Sequence, residues 1–376
     1  MTVDGASPGP VAVSVNVRNL TGPHTGIEIY MLELLRALAA TGQVRIEALS
    51  WAPVRLDLPN VTETIPVPRP SWRPGTIPSA LWKTWFDHYG VLRRPAGEPG
   101  RLFHGMDGFL PLGLGRRDRA IVTMHDLGWQ VHPELYSARL RMLYRALFPL
   151  VVRRADHFIA VSRYTADDLI RRAGVSASRI DVIHHGVDPA FAPGSEVSPP
   201  EAGPYLLAVG GVSPRKNTRR LIEAFTRWRG RGEGAGYRLL ITGTSLDYDF
   251  VRQGALPDGV ALLGYVDKAE LRRLYAGAAA FVYPGIYEGF GLPIVEAMAC
   301  GAPVVTSSTG AAPEIAGGAA LLVDPFDPGS IVAGIERAVR PDTAAELRAQ
   351  GLVRARAFRW ADAAAATVDV YRRVRG

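Results

Sequence analysis

The stretch FVYPGIYEGFGLPIVEAMACGAPVV, Phe281 to Val305, constrains the fold more than any other part of the chain. Phe281-Val-Tyr283 is a short apolar run broken by Pro284-Gly285, which reads as a buried strand entering a loop. The loop carries Glu288, Gly289, Phe290, Gly291 and Leu292, and Pro293 stands where a first helical turn begins. A helix from Ile294 to Cys300 places Glu296 in that turn, Gly301-Ala-Pro303 stops it, and Val304-Val-Thr306 reads as the next parallel strand. Strand, glycine-rich loop and helix N-terminus together make an anion site, because unpaired N–H groups face the ligand and glycines let it come close. Two carboxylates separated by seven residues would repel a bare phosphate. They suit a sugar nucleotide, which has hydroxyls at both ends and a diphosphate between them. One Glu then grips the donor sugar and the other the ribose.

At 376 residues the chain exceeds one ordinary core and predicts two domains of near-equal size. The single cysteine, Cys300, excludes an internal disulfide and a cysteine-based metal site, and no metal is expected. No apolar run approaches ~18 residues, so no span is expected, and the polar start MTVDGASPGP lacks a signal pattern. These features predict a cytoplasmic location. A formal net charge of +7 points to anionic partners. The arginines are dispersed and no zinc-finger, RNP or helix-turn-helix pattern occurs, so nucleic acid is not expected.

Short apolar strands alternate with helical segments in both halves, which predicts a doubly wound parallel α/β sheet in each. In the first half the strands are Val11 to Val17, Ala120 to Met124, Phe158 to Val161 and Ile180 to Ile183. The first feeds a glycine-containing loop and a helix, Ile27 to Ala40, with an apolar stripe at Ile27, Tyr30, Met31, Leu34, Leu35 and Leu38. Pro189 to Pro204 has no periodicity and reads as the linker between domain 1–190 and domain 204–358. The second half offers Tyr205 to Val209, Tyr237 to Thr242, Val260 to Leu263, Phe281 to Tyr283, Val304 to Thr306 and Ala320 to Val323. Helices follow at Ile331 to Arg340, Thr343 to Phe358 and Trp360 to Arg375.

Within this frame, Gly210-Gly211-Val-Ser-Pro-Arg215-Lys216-Asn217 follows a strand and opens a helix. Cations in a first turn oppose the helix dipole and call for an anion, so Arg215 and Lys216 are assigned to a diphosphate. His125-Asp126 stands at the C-terminal end of a buried strand, the side of an open sheet where ligands collect. His104 is a weaker candidate for the same pocket, and His184 and His185 read as structural. Asp247-Tyr248-Asp249 lies in a turn-like segment and reads as a solvated loop rather than a metal site. Two stretches, Trp72 to Arg94 and Arg139 to Arg154, interleave aromatic or apolar residues with arginines. Both fit a membrane interface or a sugar surface, and fit a packed helix with a solvated charged edge better.

Glu288-x7-Glu296 within EGFGLPIVEAMACGAPVV resembles the signature of the retaining glycosyltransferases of family 4, the mannosyltransferase-like group 1 enzymes of GT-B fold. The resemblance covers nearly the whole chain, strongest from Gly210 to Glu314. It implies two Rossmann-like domains facing across a cleft, with the last helix, 360–376, packing back on the first domain. It also implies transfer of a hexosyl group from a nucleotide sugar to a hydroxyl of a saccharide or lipid-linked saccharide, without cofactor or metal. GDP-mannose is the first expectation for the donor, with UDP-sugars open. The catalytic residues it implies are His125, Glu288, Arg215 and Lys216. The donor site comprises Gly210, Gly211, Asn217, Gly243, Tyr265, Val266, Gly289, Phe290, Gly291, Leu292 and Glu296. The acceptor loop resembles a Gly-Gly-Ile pattern but reads Thr25-Gly26-Ile27, so Gly22, Thr25 and Gly26, with Arg163, are assigned to an altered acceptor pocket. Peripheral contact with the inner membrane face is left open.

Other classes fit less well. A dinucleotide-dependent oxidoreductase needs a G-x-G-x-x-G fingerprint that both halves lack, and a phosphorylase-like enzyme needs a pyridoxal lysine that no segment marks. A non-catalytic sugar-nucleotide or lectin-like binding protein would keep the donor residues and dispense with His125.

Overall fold

A computed structural model describes residues 9–21, 26–65, 87–89, 92, 100–194, 203–243 and 256–376. The expectations for Gly22, Thr25, most of 72–94 and Asp247-Tyr248-Asp249 lie outside the described residues.

The first half builds a seven-stranded, all-parallel sheet in the order β3-β2-β1-β4-β5-β6-β7. Its strands are β1 (Val11–Asn16), β2 (Val44–Leu49), β3 (Val61–Thr64), β4 (Leu102–Gly105), β5 (Arg119–Met124), β6 (His157–Ala160) and β7 (Ile180–Val182). The second half builds a six-stranded parallel sheet in the order β10-β9-β8-β11-β12-β13. These are β8 (Tyr205–Val209), β9 (Arg238–Thr242), β10 (Val260–Gly264), β11 (Ala280–Tyr283), β12 (Val304–Ser307) and β13 (Leu321–Val323). The central strands of both sheets are buried on two faces and carry nearly continuous apolar runs, as helix-covered parallel sheets require. β2, β3 and β4 are strands that the periodicity does not single out. β3, with two exposed positions in VTET, lacks an apolar run altogether.

The longer helices of the described residues include α1 (Gly26–Ala40), α2 (Ala138–Arg154), α3 (Arg163–Ala173), α4 (Thr218–Gly230) and α5 (Lys268–Gly277). They continue with α6 (Leu292–Ala299), α7 (Ala312–Ala316), α8 (Pro328–Ala338), α9 (Pro341–Ala355) and α10 (Trp360–Arg375). In α1 the buried residues are Tyr30, Met31, Leu34, Leu35, Leu38 and Ala39, a stripe at helical spacing. α9 starts at Pro341, a favoured first-turn residue, and ends at Ala355, so Phe358 leaves the helix and packs against Phe290 and His184. α10 lies on α1 and the first sheet, and Tyr371 Oη bonds His104 Nδ1 at 2.7 Å. Among the described residues no helix is long and apolar enough to cross a membrane.

Each sheet has one place where the strand order reverses direction, between β1 and β4 in the first and between β8 and β11 in the second. Connections leave to opposite faces there, so the carboxyl ends of those strands border a crevice.

Candidate active site

At the β8/β11 crevice the loop after β11 brings Glu288 between Arg215 and Lys216, which precede α4. Arg215 Nη1 donates to Glu288 Oε2 at 2.9 Å. Lys216 Nζ stands 2.9 Å from Oε1 but off the hydrogen-bond axis, so Oε1 has a charge partner and no aligned donor. Lys216 Nζ also donates to the Tyr283 hydroxyl. Glu288 is 8% exposed. Burial pushes its carboxyl upward, yet Arg215 and Lys216 outweigh burial and hold the pKa below the ordinary value. Burial lowers Lys216, with Glu288 opposing, while Glu288 raises Arg215 against its own burial. The ion group therefore carries two cations against one carboxylate, a surplus positive charge at the strand ends.

Gly291 opens α6 with φ 97° and no side-chain cap; Pro293 has no N–H and the Ile294 amide bonds the Gly291 carbonyl at 2.9 Å, so Leu292 supplies the first-turn amide that can face a ligand. Glu296 is buried in that helix, and its Oε2 accepts from Tyr275 Oη at 3.0 Å. Burial raises its carboxyl to about 7, with the Tyr275 bond pulling the other way.

Other donor-side assignments take a different form from the one the sequence predicts. The Gly210 and Gly211 amides both donate to the Thr242 carbonyl, at 2.9 and 2.7 Å, so these N–H groups are spent within the fold. The glycine pair shapes the loop against Lys216 and Gly243 rather than offering a free anion cradle. Asn217 turns its side-chain amide to the Pro284 and Pro325 carbonyls and is 3% exposed, a structural role. Phe290 is buried against His185, with ring centroids 4.4 Å apart, and Leu292 belongs to the same core. Both side chains pack into the core at the joint between the domains. Tyr265, at 77% exposed, and half-buried Val266 stand beyond β10 at the outer side of the sheet.

Across the joint, His125 ends β5 and donates from Nε2 to the Met106 carbonyl at 2.7 Å. Burial lowers its pKa, the Met106 bond opposing, so at neutral pH the ring is uncharged and Nδ1 is its acceptor. The ring meets Tyr30 edge-on at 4.8 Å. Gly289 lies directly beneath: a Cβ there would stand 1.7 Å from the His125 carbonyl oxygen. Thr165 Oγ1 reaches both the His125 and Gly289 carbonyls, at 3.3 and 3.4 Å. Tyr287 Oη donates to Asp168 Oδ2 at 2.9 Å and accepts from Leu127 N at 3.1 Å. The loop that carries Glu288 is thus clasped by the first domain on both sides.

His104 is not in this pocket. Its ring is wholly buried between Tyr371 Oη and Thr123 Oγ1, and burial drives its pKa to about 3. His184 bonds Glu314 at 2.7 Å, and His185 stacks on Trp360 at 5.8 Å with neither buried ring nitrogen hydrogen-bonded.

On the acceptor side, Arg163 does not reach the first-domain crevice. It is the first residue of α3, where Glu314 accepts from the Arg163 and Tyr164 amides at 2.9 and 3.2 Å. A carboxylate of the second domain thereby caps a helix of the first. Gly26 is the exposed first residue of α1, and its neighbour Ile27 lines a cavity of about 390 Å³ at the β1/β4 crevice. The polar lining of that cavity includes Arg18, Asn19, Asp87 and Asp107, none of which the sequence reading selects. The signal that could have found them is positional: Arg18 and Asp107 each stand two residues beyond the end of a central strand.

The model of the family described as Glycosyltransferase Family 4 matches residues 24–191, and that described as Glycosyl transferases group 1 matches 203–340. O-antigen chain mannosyltransferase B of Escherichia coli is 33% identical over 295 residues, covering 72% of this chain and 74% of the relative. A D-inositol 3-phosphate glycosyltransferase of Streptosporangium roseum is 30% identical over 394 residues, covering 93% and 89%. Sucrose-phosphate synthase from Thermosynechococcus elongatus superposes with a TM-score of 0.71 at 25% identity, over 97% of this chain and 99% of that one. The chain belongs to the family 4, group 1 glycosyltransferases, and its fold is GT-B.

Proposed function

We propose that this glycosyltransferase moves a hexosyl group from a nucleotide sugar, GDP-mannose as first choice, to a hydroxyl of a saccharide or lipid-linked saccharide. In this reading the anomeric configuration is retained and no metal takes part. The observation that carries it is the grouping of Glu288, Arg215 and Lys216 at a strand-reversal crevice, opposite His125. Cleavage of the glycosidic bond leaves positive charge at the anomeric carbon and negative charge on the diphosphate. The surplus cation of the group, with the Leu292 amide at the start of α6, stabilises that diphosphate. Glu288 Oε1, which lacks an aligned donor, accepts from a hydroxyl of the donor sugar, and Glu296 accepts from the ribose. His125, neutral and fixed through Met106, offers Nδ1 at the reacting end. The clasp around Tyr287 and Gly289 excludes water and limits hydrolysis.

The E. coli relative, an O-antigen chain mannosyltransferase, supports mannose and a polysaccharide acceptor. The inositol-phosphate glycosyltransferase shows that related chains of this length act on other acceptors. A thermal-shift screen against GDP, UDP, ADP and dTDP tests the donor site, since a ligand that binds the folded state raises the melting temperature. A shift with GDP alone supports the guanosine donor, and one with UDP alone replaces it. A flat response to all four at millimolar concentration removes the nucleotide site from the reading. The anomeric configuration of the product, read by NMR, tests retention.

The outward face of α2 favours a place at a lipid surface. Met142, Leu143 and Leu150 are 70%, 42% and 42% exposed there, beside exposed Arg139, Arg145 and Arg153, and the helix contains no acidic residue. Such a face matches an anionic membrane in charge and in apolar depth.

A further inference from the structure

We propose that a buried hydrogen-bonded chain, Tyr30–Thr123–His104–Tyr371, positions His125 at the reacting end, and that the last helix thereby belongs to the machinery. The proposal rests on the glycosyl-transfer reading above, in which His125 offers Nδ1 to the reacting sugar.

One hydrogen bond does not fix an imidazole. His125 Nε2 donates to the Met106 carbonyl at 2.7 Å, but that bond alone lets the ring swing about its axis. Tyr30 supplies the second constraint. Its ring meets the His125 ring edge-on at 4.8 Å, with an interplanar angle of 84°. The same ring meets His185 at 4.7 Å and Trp360 at 6.0 Å, so Tyr30 is itself enclosed. A wall of this kind is only as rigid as the groups that lock it.

Tyr30 is locked at its hydroxyl. Tyr30 Oη and Thr123 Oγ1 share a hydrogen bond of 2.8 Å, and Thr123 Oγ1 shares another of 2.8 Å with His104 Nε2. His104 Nδ1 and Tyr371 Oη share the third, at 2.7 Å. All four side chains are buried, and they come from four elements: α1, β5, β4 and α10. Thr123 stands two residues before His125, and Tyr30 touches both, one through its hydroxyl and the other through its ring. His104 is uncharged at neutral pH, since burial drives its pKa to about 3, so its ring has one N–H and one acceptor. The chain uses both ring nitrogens, which places this histidine behind the site rather than in it. An apolar core would avoid the cost of burying four polar groups. A fully bonded chain instead fixes one arrangement of its members, the property that a reacting group needs from its surroundings.

The outer end of the chain lies on α10, which follows the second domain in sequence and packs on α1 and the first sheet. That helix approaches His125 by two routes. Tyr371 acts through the hydrogen-bonded chain, and Trp360 through the rings of Tyr30 and His185. The seating of the last helix is therefore transmitted to the reacting end.

Three variants of the full chain test this. Thr123→Val removes the central hydroxyl at nearly constant volume, Tyr371→Phe removes the outer one, and Thr123→Ser keeps the chain. Nitrogen-15 NMR of the histidine rings reads the tautomer of His125, with His125→Asn to assign its signals. The expected wild-type result is one tautomer, with the hydrogen on Nε2. Thr123→Val and Tyr371→Phe should show exchange between the two tautomers, and Thr123→Ser should match the wild type. The second readout is nucleotide release with water as acceptor, GDP-mannose giving GDP and mannose, or UDP-glucose giving UDP and glucose where the thermal shift selects uridine. Release should fall by ~10-fold to ~100-fold in Thr123→Val, with the Kd of the free nucleotide unchanged, because misplacing a reacting group costs rate. Tyr371→Phe should fall less, and it carries the test alone if Thr123→Val does not fold. Each rate is measured well below the melting temperature of its own variant. A chain that only stabilises the core predicts lower melting temperatures with the tautomer and the rate unchanged. That result would overturn the proposal, and so would Thr123→Ser behaving like Thr123→Val. Absence of nucleotide release from either donor by the wild-type protein would overturn the transfer reading, and the tautomer would then decide the positioning by itself.

Discussion

The two strand-reversal crevices occupy matching places in their sheets and carry opposite chemistry. At β8/β11 two cations surround one buried carboxylate, and the helix that starts at Leu292 has no side-chain cap. At β1/β4 one arginine is consumed by one aspartate, a second aspartate is left over, and three leucines and two aromatic rings form the far wall. Topology decides where a ligand can sit, because backbone connections must part at a reversal. The side chains placed there decide its charge. A transferase needs a positive end for the departing diphosphate.

The largest expected effects strike the cationic crevice. Glu288→Ala and Lys216→Ala should each lower transfer by ~100-fold or more, as removal of one charge-stabilising group does elsewhere. Near-normal kcat in both variants would sink the assignment of this crevice to the reacting diphosphate. Next comes the joint that brings the crevices together. Gly289→Ala forces the His125 carbonyl away from a Cβ that would stand 1.7 Å from it. A displacement of about an ångström costs up to ~100-fold in rate, while the nucleotide thermal shift should persist. Full activity in that variant would show that the clasp is not needed.

A third prediction concerns pH. Glu296 has its pKa raised to about 7 in the folded chain, so it holds a proton across the interval above its ordinary value. Its contribution to folding stability is therefore present at low pH and is lost as pH rises through about 7. Ribose binding needs the ionised acceptor, so nucleotide affinity should move the other way and be ~10-fold stronger at pH 8 than at pH 6. Titration calorimetry at the two pH values checks this, and Glu296→Gln should flatten the difference. An equal slope in Glu296→Gln would assign the titration to another group.

Smaller effects are expected away from the crevices. Glu314→Ala removes the cap that one domain provides to α3 of the other, a loss of ~1 kcal/mol, which should lower the melting temperature by a few degrees. An unchanged melting temperature would mean that water replaces the carboxylate without cost. Co-sedimentation with vesicles should rise with the anionic lipid fraction. Arg145→Glu should weaken it by an amount on the order of 1–2 kcal/mol, because a nearby positive charge becomes negative. Sedimentation independent of lipid charge would separate α2 from the membrane.

The sheet class was legible in the sequence because strands buried on both faces must be apolar almost throughout. All six strands of the second sheet show that run, and so do β1, β5 and β6 of the first, while β7 carries Asp181 at its centre. β2 alternates as Val44, Ile46 and Ala48 buried against exposed Arg45 and half-buried Glu47, and β3 has no apolar run, so neither carries the signal. In the candidate site, Glu288, Arg215 and Lys216 could be chosen from sequence because two cations in a first turn and a carboxylate in a glycine loop are poor local choices without one another. The side chains of Asn217 and Phe290 could not be placed from sequence for the opposite reason. They sit inside the same motif, but their side chains turn into the fold, toward two carbonyls and a histidine ring.

By itself the sequence determined two parallel α/β halves, the strand–loop–helix unit around Glu288, and the family those residues mark. These follow from local pattern: periodicity, glycine and proline placement, and charge out of keeping with a helix start. Only the tertiary structure decided that Arg18 is neutralised by a residue 69 positions away. It alone decided that Glu314 caps a helix of the other domain, and that Gly289 lies under the His125 carbonyl. Those contacts join residues far apart in the chain, and their energies depend on distance and burial, quantities that no window of sequence contains.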